Sequence, residues 1–355
     1  MQKLLLSGLI ILLLASCSSE MREKLEPRPT AFGPLNQLVV VADKNMWEGA
    51  VGDTFEYYFA SAYPILPQPE PIYDLRYFSP DDLFQKKERR ELRNYVILAD
   101  LNDTESLATK QIYRDIKPEI IEEARQENSY KTAVLQDRWA DNQLVVYMFG
   151  FGHDNLIENI QTNFQGVNRR VRKAESVEIA AKVYPGGTNG SLIQEVKDYI
   201  GVDVKIPSDY FLAMHDEDAQ TVWIRRETPE VSSNIMFRKM PYTDDKQLEP
   251  DFVQTLIDTL GRYVSSDIEN TFLRVNGEDL PILTEVFQRD GRYTLQMRGI
   301  WEIENDFMGG PFVAEMALNP NTNELLLTFG FLFAPGEDKR DNMKFMEHVM
   351  ESASF

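Results

Sequence analysis

The sequence predicts an α+β fold with mixed strands and helices, βαβ-like in its first half and made of antiparallel hairpins with packed helices in its second. Three observations carry this. Between residues 37 and 183, short apolar runs of strand length alternate with segments of helical period. After residue 208, alternating strands are joined by turn signals such as Asp290-Gly291 and NPNTN at 319–323. The hydrophobic share of 43% is ample for a packed core. It has to be, because one cysteine in 355 residues leaves no intrachain disulfide to help.

In the first half, QLVVVA (37–42) is a buried-type strand, and residues 45–62 carry Trp47, Val51, Phe55, Tyr58 and Phe59 at helical spacing. LPQPEP (66–71) is extended and turn-like because of its three prolines. YDLRYF (73–78) is a strand, and residues 79–92 form a helix opening at Ser79 with Pro80 in its first position. NYVILADL (94–101) is a strand. The helical segment 104–127 is interrupted before Pro118, whose ring cannot continue a helix. Residues 131–150 give two strands joined at 140–142. Asp154 then caps a long helix with Leu156, Ile157, Ile160 and Phe164 on one face.

YPGGTNGS (184–191) is the most loop-like stretch of the body and is taken as the boundary between an N-terminal α/β subdomain, 36–184, and a C-terminal α+β subdomain, 191–355. Beyond it lie a helix at 191–201, a hairpin at 209–227 with the acidic turn HDEDA, and a helix at 246–264 with Phe252, Leu256, Ile257 and Leu260 inward. Hairpins at 282–304 and 312–333 and a closing helix at 337–352 complete the chain. No internal repeat is visible.

The first sixteen residues place Lys3 before an apolar run from Leu4 to Leu14, then small Ala15 and Ser16. That pattern is a secretory leader, too short for the about 20 apolar residues of a membrane-spanning helix. Leu14-Ala15-Ser16-Cys17 resembles the bacterial lipobox, which implies a lipoprotein signal peptide at 1–16, cleavage before Cys17, and a diacylglyceryl group and further acylation of the palmitate class on that cysteine. At about 0.8 kcal/mol per buried CH₂, two or three acyl chains hold a protein on a membrane. With Ser18 and Ser19 following, the resemblance implies the outer membrane. Residues 17–35, polar and proline-bearing, are the lipidated cysteine and a flexible tether, whose stretch 18–34 has a contour of about 55 Å.

The net charge of −20 excludes nucleic acid as a partner, since phosphates demand Lys/Arg surfaces, and it disfavours anionic lipid headgroups as a docking surface. The membrane is thus reached through the N-terminal lipid.

LPQPEP (66–71), WIRRET (223–228), RGIW (298–301), MGGPF (308–312) and GFLFAPGEDKRDNM (330–343) resemble, in order and over nearly the whole mature chain, the signature segments of the domain of unknown function 4837 family. The resemblance implies an exported lipoprotein of the Bacteroidota. It implies no chemistry, because the family has no assigned activity or catalytic residues.

Motif by motif, the sequence offers little for catalysis, and no cofactor, metal or catalytic residue is assigned from it. There is no G-x-S-x-G elbow, no H-E-x-x-H, no Walker loop and no Cys/His ligand set. Gly150-Phe151-Gly152-His153-Asp154-Asn155 follows a strand like a dinucleotide fingerprint, but Asn155 stands where the third glycine belongs, so a tight strand-to-helix turn is the reading taken. His215-Asp216-Glu217-Asp218 offers cation ligands in one run, and is read as a solvated hairpin turn. On the strand around Trp301, alternation puts Leu295, Met297, Gly299 and Trp301 on one face and Arg298, Glu302 and Glu304 together on the other, an open one. Paired carboxylates beside a cation suit glycan hydrolysis.

The paired glycines of MGGPF permit positive φ or close backbone approach, either as a tight connection or as part of a groove with Trp301 and Met308. Trp223, Arg225, Arg298, Trp301, Gly309 and Gly310 form the candidate binding surface, provided the sheets of the two hairpins adjoin. The expectation is a membrane-anchored cell-envelope lipoprotein, a non-enzymatic module binding an envelope protein or glycan. The alternative is a carboxylate-dependent envelope hydrolase using Glu302 and Glu304.

Overall fold

The structure is a computed structural model that describes residues 28–355. The leader, Cys17 and most of the tether lie outside the described residues. The chain folds as two compact units. One holds the described residues up to Tyr58 together with Leu75–Ala174, and the other holds Phe59–Asp74 and Glu175–Phe355. The α+β class holds in both.

The first unit is built on a five-stranded mixed sheet. Its strands are β1 (Gln37–Val41), β2 (Asp74–Phe78), β3 (Asn94–Asp100), β4 (Tyr130–Gln136) and β5 (Leu144–Gly150), in the order β2-β1-β3-β5-β4. β1 and β5 run parallel to β3, and β4 turns back antiparallel on β5. β5 is buried along its whole length and β3 along nearly all of it, as strands covered on both faces must be. The helices are α1 (Lys44–Trp47), α2 (Ala50–Phe59), α3 (Pro80–Gln85), α4 (Leu107–Asp115), α5 (Pro118–Gln126) and α6 (His153–Val183). Ser79 accepts from the Asp82 amide to open α3, with Pro80 in the first turn, and Pro118 begins α5 after the expected break. Asp154 does not cap α6. It lies inside the first turn, where its charge suits the positive end of the helix. The division between the units falls within α6, and YPGGTNGS follows the end of that helix.

The second unit is built on an eight-stranded antiparallel sheet. β6 (Phe211–Asp216), β7 (Thr221–Glu227), β8 (Ser232–Pro241), β10 (Leu283–Arg289), β11 (Arg292–Ile303), β12 (Gly309–Asn319) and β13 (Glu324–Phe333) run in the order β10-β11-β12-β13-β8-β7-β6, and β9 (Leu273–Asn276) pairs with β11. Three helices belong here: α7 (Gly190–Ile200), α8 (Pro250–Gly261) and α9 (Arg340–Met350). Asn189 caps α7 and Gly201 ends it in the left-handed conformation at φ 65°.

β8 and β9 are strands the sequence reading passed over. β8 pairs with β13 on one side and β7 on the other, and so fuses the hairpins into one sheet. Its Ser233–Phe237 are all buried, so it shows no polar–apolar alternation.

The two faces of this sheet have different covers. Val253, Ile257 and Leu260 of α8 pack in one cluster with Met297, Trp301, Phe312, Phe329 and Phe331. On the opposite face, a Cβ added to Gly330 would meet Met346 and Met350 of α9. Helix α9 has no side-chain cap of its own. Instead Glu70, from LPQPEP, accepts from the backbone amides of Lys339 and Arg340 at 2.6 and 3.0 Å. Arg340 in turn donates to the Pro71 carbonyl and to Asp74. This explains why residues 59–74 belong to the second unit.

Candidate functional site

The alternation of β11 places Trp301 on the α8 face and Arg298 on the α9 face, as read from the sequence. The α9 face is not open, however. Arg298 donates to both carboxylate oxygens of Glu347, at 2.7 and 2.8 Å, and to the Gln296 side chain. The Tyr63 hydroxyl donates to the same Glu347. With side-chain exposures of 14% and 9%, this pair is interior. Burial works against the guanidinium charge, but the Glu347 carboxylate outweighs it and holds the Arg298 pKa above its usual value. The arginine's partner is supplied by the closing helix.

Glu302 and Glu304 also find their cation on another strand. Both bind one guanidinium, that of Arg274 in β9, at 2.6 and 2.7 Å. Asn276 donates to the second Glu302 oxygen at 2.8 Å. These contacts, with Glu302 first, raise the Arg274 pKa. The strand that sequence reasoning missed thus supplies the cation that ties these carboxylates down.

On the α8 face, β8 brings the hairpins together. A groove of about 310 Å³ opens at the end of the sheet, walled by Trp223, Trp301, Phe331 and Phe333, with Arg225, Glu227 and Asn234 among its polar groups. The rings form a chain: Trp223 to Phe331 at 6.2 Å, Phe331 to Trp301 at 5.6 Å, and Trp301 to Phe333 at 6.3 Å. Trp223 donates through Nε1 to Asn234 Oδ1 at 3.1 Å, which fixes the plane of its indole. The Arg225 guanidinium lies 6.0 Å from the Trp223 ring and is ion-paired to Glu227. Its Nε is shielded from solvent and has no hydrogen-bond partner among the described residues. The turn after β7 closes one rim, held by the Thr228 amide on the Val231 carbonyl and by the Val231 amide on the Thr228 hydroxyl.

Gly309 and Gly310 start β12 and do not need positive φ. Close approach is what requires Gly310. A Cβ there would stand 2.0 Å from the Leu332 carbonyl oxygen and 3.2 Å from Trp301 Nε1. The indole crosses its glycine partner and donates to Leu332, so Trp301 is mostly core and presents little more than an edge to the groove.

Of the six residues singled out, Trp223, Arg225 and Trp301 line this groove, Gly309 and Gly310 position Trp301, and Arg298 lies on the other face. Glu227, Asn234, Phe331 and Phe333 were missed. Asn234 lies on the unrecognised strand, whereas Phe331 and Phe333 stood in plain view in GFLF.

The other motifs have structural accounts. The Gly152 amide donates to Asp100 Oδ1 at 2.8 Å with φ 94°, and Asn155 donates to the Asn128 and Phe151 carbonyls, a strand-to-helix turn tied by side chains. His215 stacks on Tyr199 at 4.0 Å, and Asp216 accepts from the Tyr263 hydroxyl. Among the described residues, no group of three or more His, Cys, Asp or Glu is placed to hold a metal ion, and no helix is long and apolar enough to cross a membrane.

Residues 189–352 match the family described as Domain of unknown function (DUF4837), and residues 31–184 match a second, Domain of unknown function (DUF8532). The first match is narrower than the resemblance read from the sequence, since LPQPEP falls within the second. Comparison with curated proteins returns no match. Among solved structures, the crystal structure of LpqN involved in cell envelope biogenesis of Mycobacterium tuberculosis aligns at 12% identity over 43% of this chain and 82% of that one, with a TM-score of 0.27.

Proposed function

We propose that this chain, which belongs to the DUF4837 family through residues 189–352, is a non-enzymatic binding module of the cell envelope, tethered by a lipid on Cys17. A glycan or peptide segment is held in the groove beside Trp223. The observation that carries this is the groove itself: an aromatic wall with a few convergent polar groups, the composition of a site that grips an apolar face and orients it by hydrogen bonds. An indole plane fixed by Asn234 costs little entropy when a sugar ring or a side chain stacks on it. Arg225 lines the groove with about a third of its side chain exposed, and its guanidinium can donate to a polar group held there. Binding is favoured over paired-carboxylate hydrolysis because Glu302 and Glu304 are ion-paired to Arg274 and do not line the groove.

Crosslinking and affinity capture from membranes, followed by titration of the captured glycan or peptide against the full chain, tests this reading. Trp223→Ala is expected to weaken binding about tenfold, the loss of one stacked aromatic. Capture of no partner, or equal affinity of the variant, would end it. The tether is tested separately by mass spectrometry of the mature N-terminus, where an unmodified thiol at Cys17 would sink the envelope anchor and leave the groove untouched.

A further inference from the structure

The first unit carries a second cavity whose charge runs against the rest of the molecule. The chain as a whole is at −20. Yet the cavity, of about 250 Å³, is lined by four cations, Arg90, Lys110, Arg114 and Arg138, and by no carboxylate.

The cations come from three places in the chain. On α4, Leu107, Lys110, Gln111 and Arg114 follow at i, i+3, i+4 and i+7 and so share one face. Ala108 and Ile112 point into the core on the other side. Arg90 comes from the short 3₁₀ turn after α3, and Arg138 from the connection between β4 and β5. Facing the helix is an aromatic wall of Phe84 and Trp139, whose rings meet edge to face at 6.5 Å. Trp139 is held from behind by Tyr95 at 5.5 Å.

Asp115 and Glu105, which pair with Arg138 and Lys110, do not line the cavity. Asp115, with a side chain only 5% exposed, accepts from Arg138 Nε at 2.8 Å and from Gln111 and the Tyr147 hydroxyl at 2.5 Å each. It anchors Arg138 from below and does not line the cavity. Lys110 reaches an exposed glutamate, Glu105, at 3.1 Å, a contact of little worth in water. Arg114 has no acidic partner among the described residues.

We propose that this cavity is a binding site for a small organic anion, a carboxylate or phosphate joined to a planar apolar group. The ring lies against Trp139 and Phe84 and the oxyanion meets Lys110 and Arg114. Arginine presents a planar fork suited to either oxyanion, and it stacks on aromatic faces, so its convergence with an indole selects such a ligand over a bare ion or a neutral ring. The site lies wholly in the first unit, is independent of the groove beside Trp223, and belongs to the part of the chain matching DUF8532.

The test is titration of the full chain at low salt with phenyl phosphate and with benzoate, read by calorimetry and by protein NMR, with inorganic phosphate and benzyl alcohol as controls. Saturable one-site binding of at least one of the two aromatic anions is expected, with both controls weaker. Arg114→Glu and Lys110→Glu, both exposed positions, are expected to weaken it at least about tenfold with unchanged melting temperature. Binding unaffected by both substitutions, or no saturable binding of either aromatic anion, would overturn the proposal. Inorganic phosphate binding as tightly as phenyl phosphate would overturn the role of the aromatic wall.

Discussion

The two sheets solve the same problem, an ionic pair placed where a helix meets a sheet, in different ways. In the first unit Asp115 and Arg138 pair at the edge of the sheet, where Arg138 keeps 25% of its side chain exposed and the buried oxygen also serves Tyr147 and Gln111. In the second, Arg298 and Glu347 pair under α9 with 14% and 9% exposed, and the network continues on the same face through Gln296 and Glu315 to Arg289. Polar residues in strict alternation along a strand thus do not imply a wet face. What they mean depends on whether a distant segment arrives to pair with them.

Breaking the deeper pair is the largest effect expected. Glu347→Ala leaves Arg298 buried and uncompensated and removes the acceptor of the Tyr63 hydroxyl, a loss of about 3–5 kcal/mol. Replacing both partners, Arg298→Met with Glu347→Leu, is expected to recover most of that loss, because the desolvation cost disappears with the charges. Hydrogen exchange followed peptide by peptide separates the units: protection is expected to fall across β11–β13 and α9. A single variant as stable as the parent would show that the pair is solvated after all.

How much of this was visible beforehand follows the same contrast. The central strands of the first unit, β1, β3 and β5, are continuous apolar runs, QLVVV and VVYMF among them, and were readable because a run covered on both faces needs no context. The hairpins of the second unit were readable from their turn dipeptides. β8 was not. SSNIMFRKMP lacks alternation and is joined to its neighbours on both sides without a strong two-residue turn, so neither local signal was present. With it went the single sheet, the meeting of Trp223 with Phe331, and the place of Asn234. The partners of Arg298, Glu302 and Glu304 were hidden for the same reason: Glu347 and Arg274 are distant in sequence, and only the fold brings them close.

In the first unit the corresponding break is milder. Asp115→Ala deprives the Tyr147 hydroxyl of its acceptor and frees Arg138, whose exposure lets water take over part of the lost contact. About 1–3 kcal/mol is expected, with exchange quickening in α4 and β5. Burial works to raise the Asp115 pKa, yet the hydrogen bonds from Arg138, Tyr147 and Gln111 hold it below the ordinary carboxylate range. The wild-type contribution is therefore present above about pH 4 and is lost as pH falls through the depressed folded value. If Asp115→Ala cost as much as Glu347→Ala, depth of burial would not be what separates the two units.

The smallest effect lies beside the deep pair, on the same helix. His348 follows Glu347, and its ring meets that of Tyr184 at 6.0 Å. Burial, with a lesser push from Lys205, lowers its pKa below the usual 6.5. The folded protein thus binds this proton less readily than the unfolded chain. Its contribution is complete above about pH 6.5 and declines as pH falls through the folded value. Between about pH 7.5 and pH 5.5 the melting temperature of the second unit is expected to drop slightly, before the carboxylate pairs begin to protonate. His348→Gln, which has no titrating ring, should flatten that slope and leave the acid limb below about pH 4 unchanged. An undiminished slope in the variant would assign it elsewhere, whereas a slope of opposite sign would mean that the imidazolium is welcomed where the packing says it is opposed.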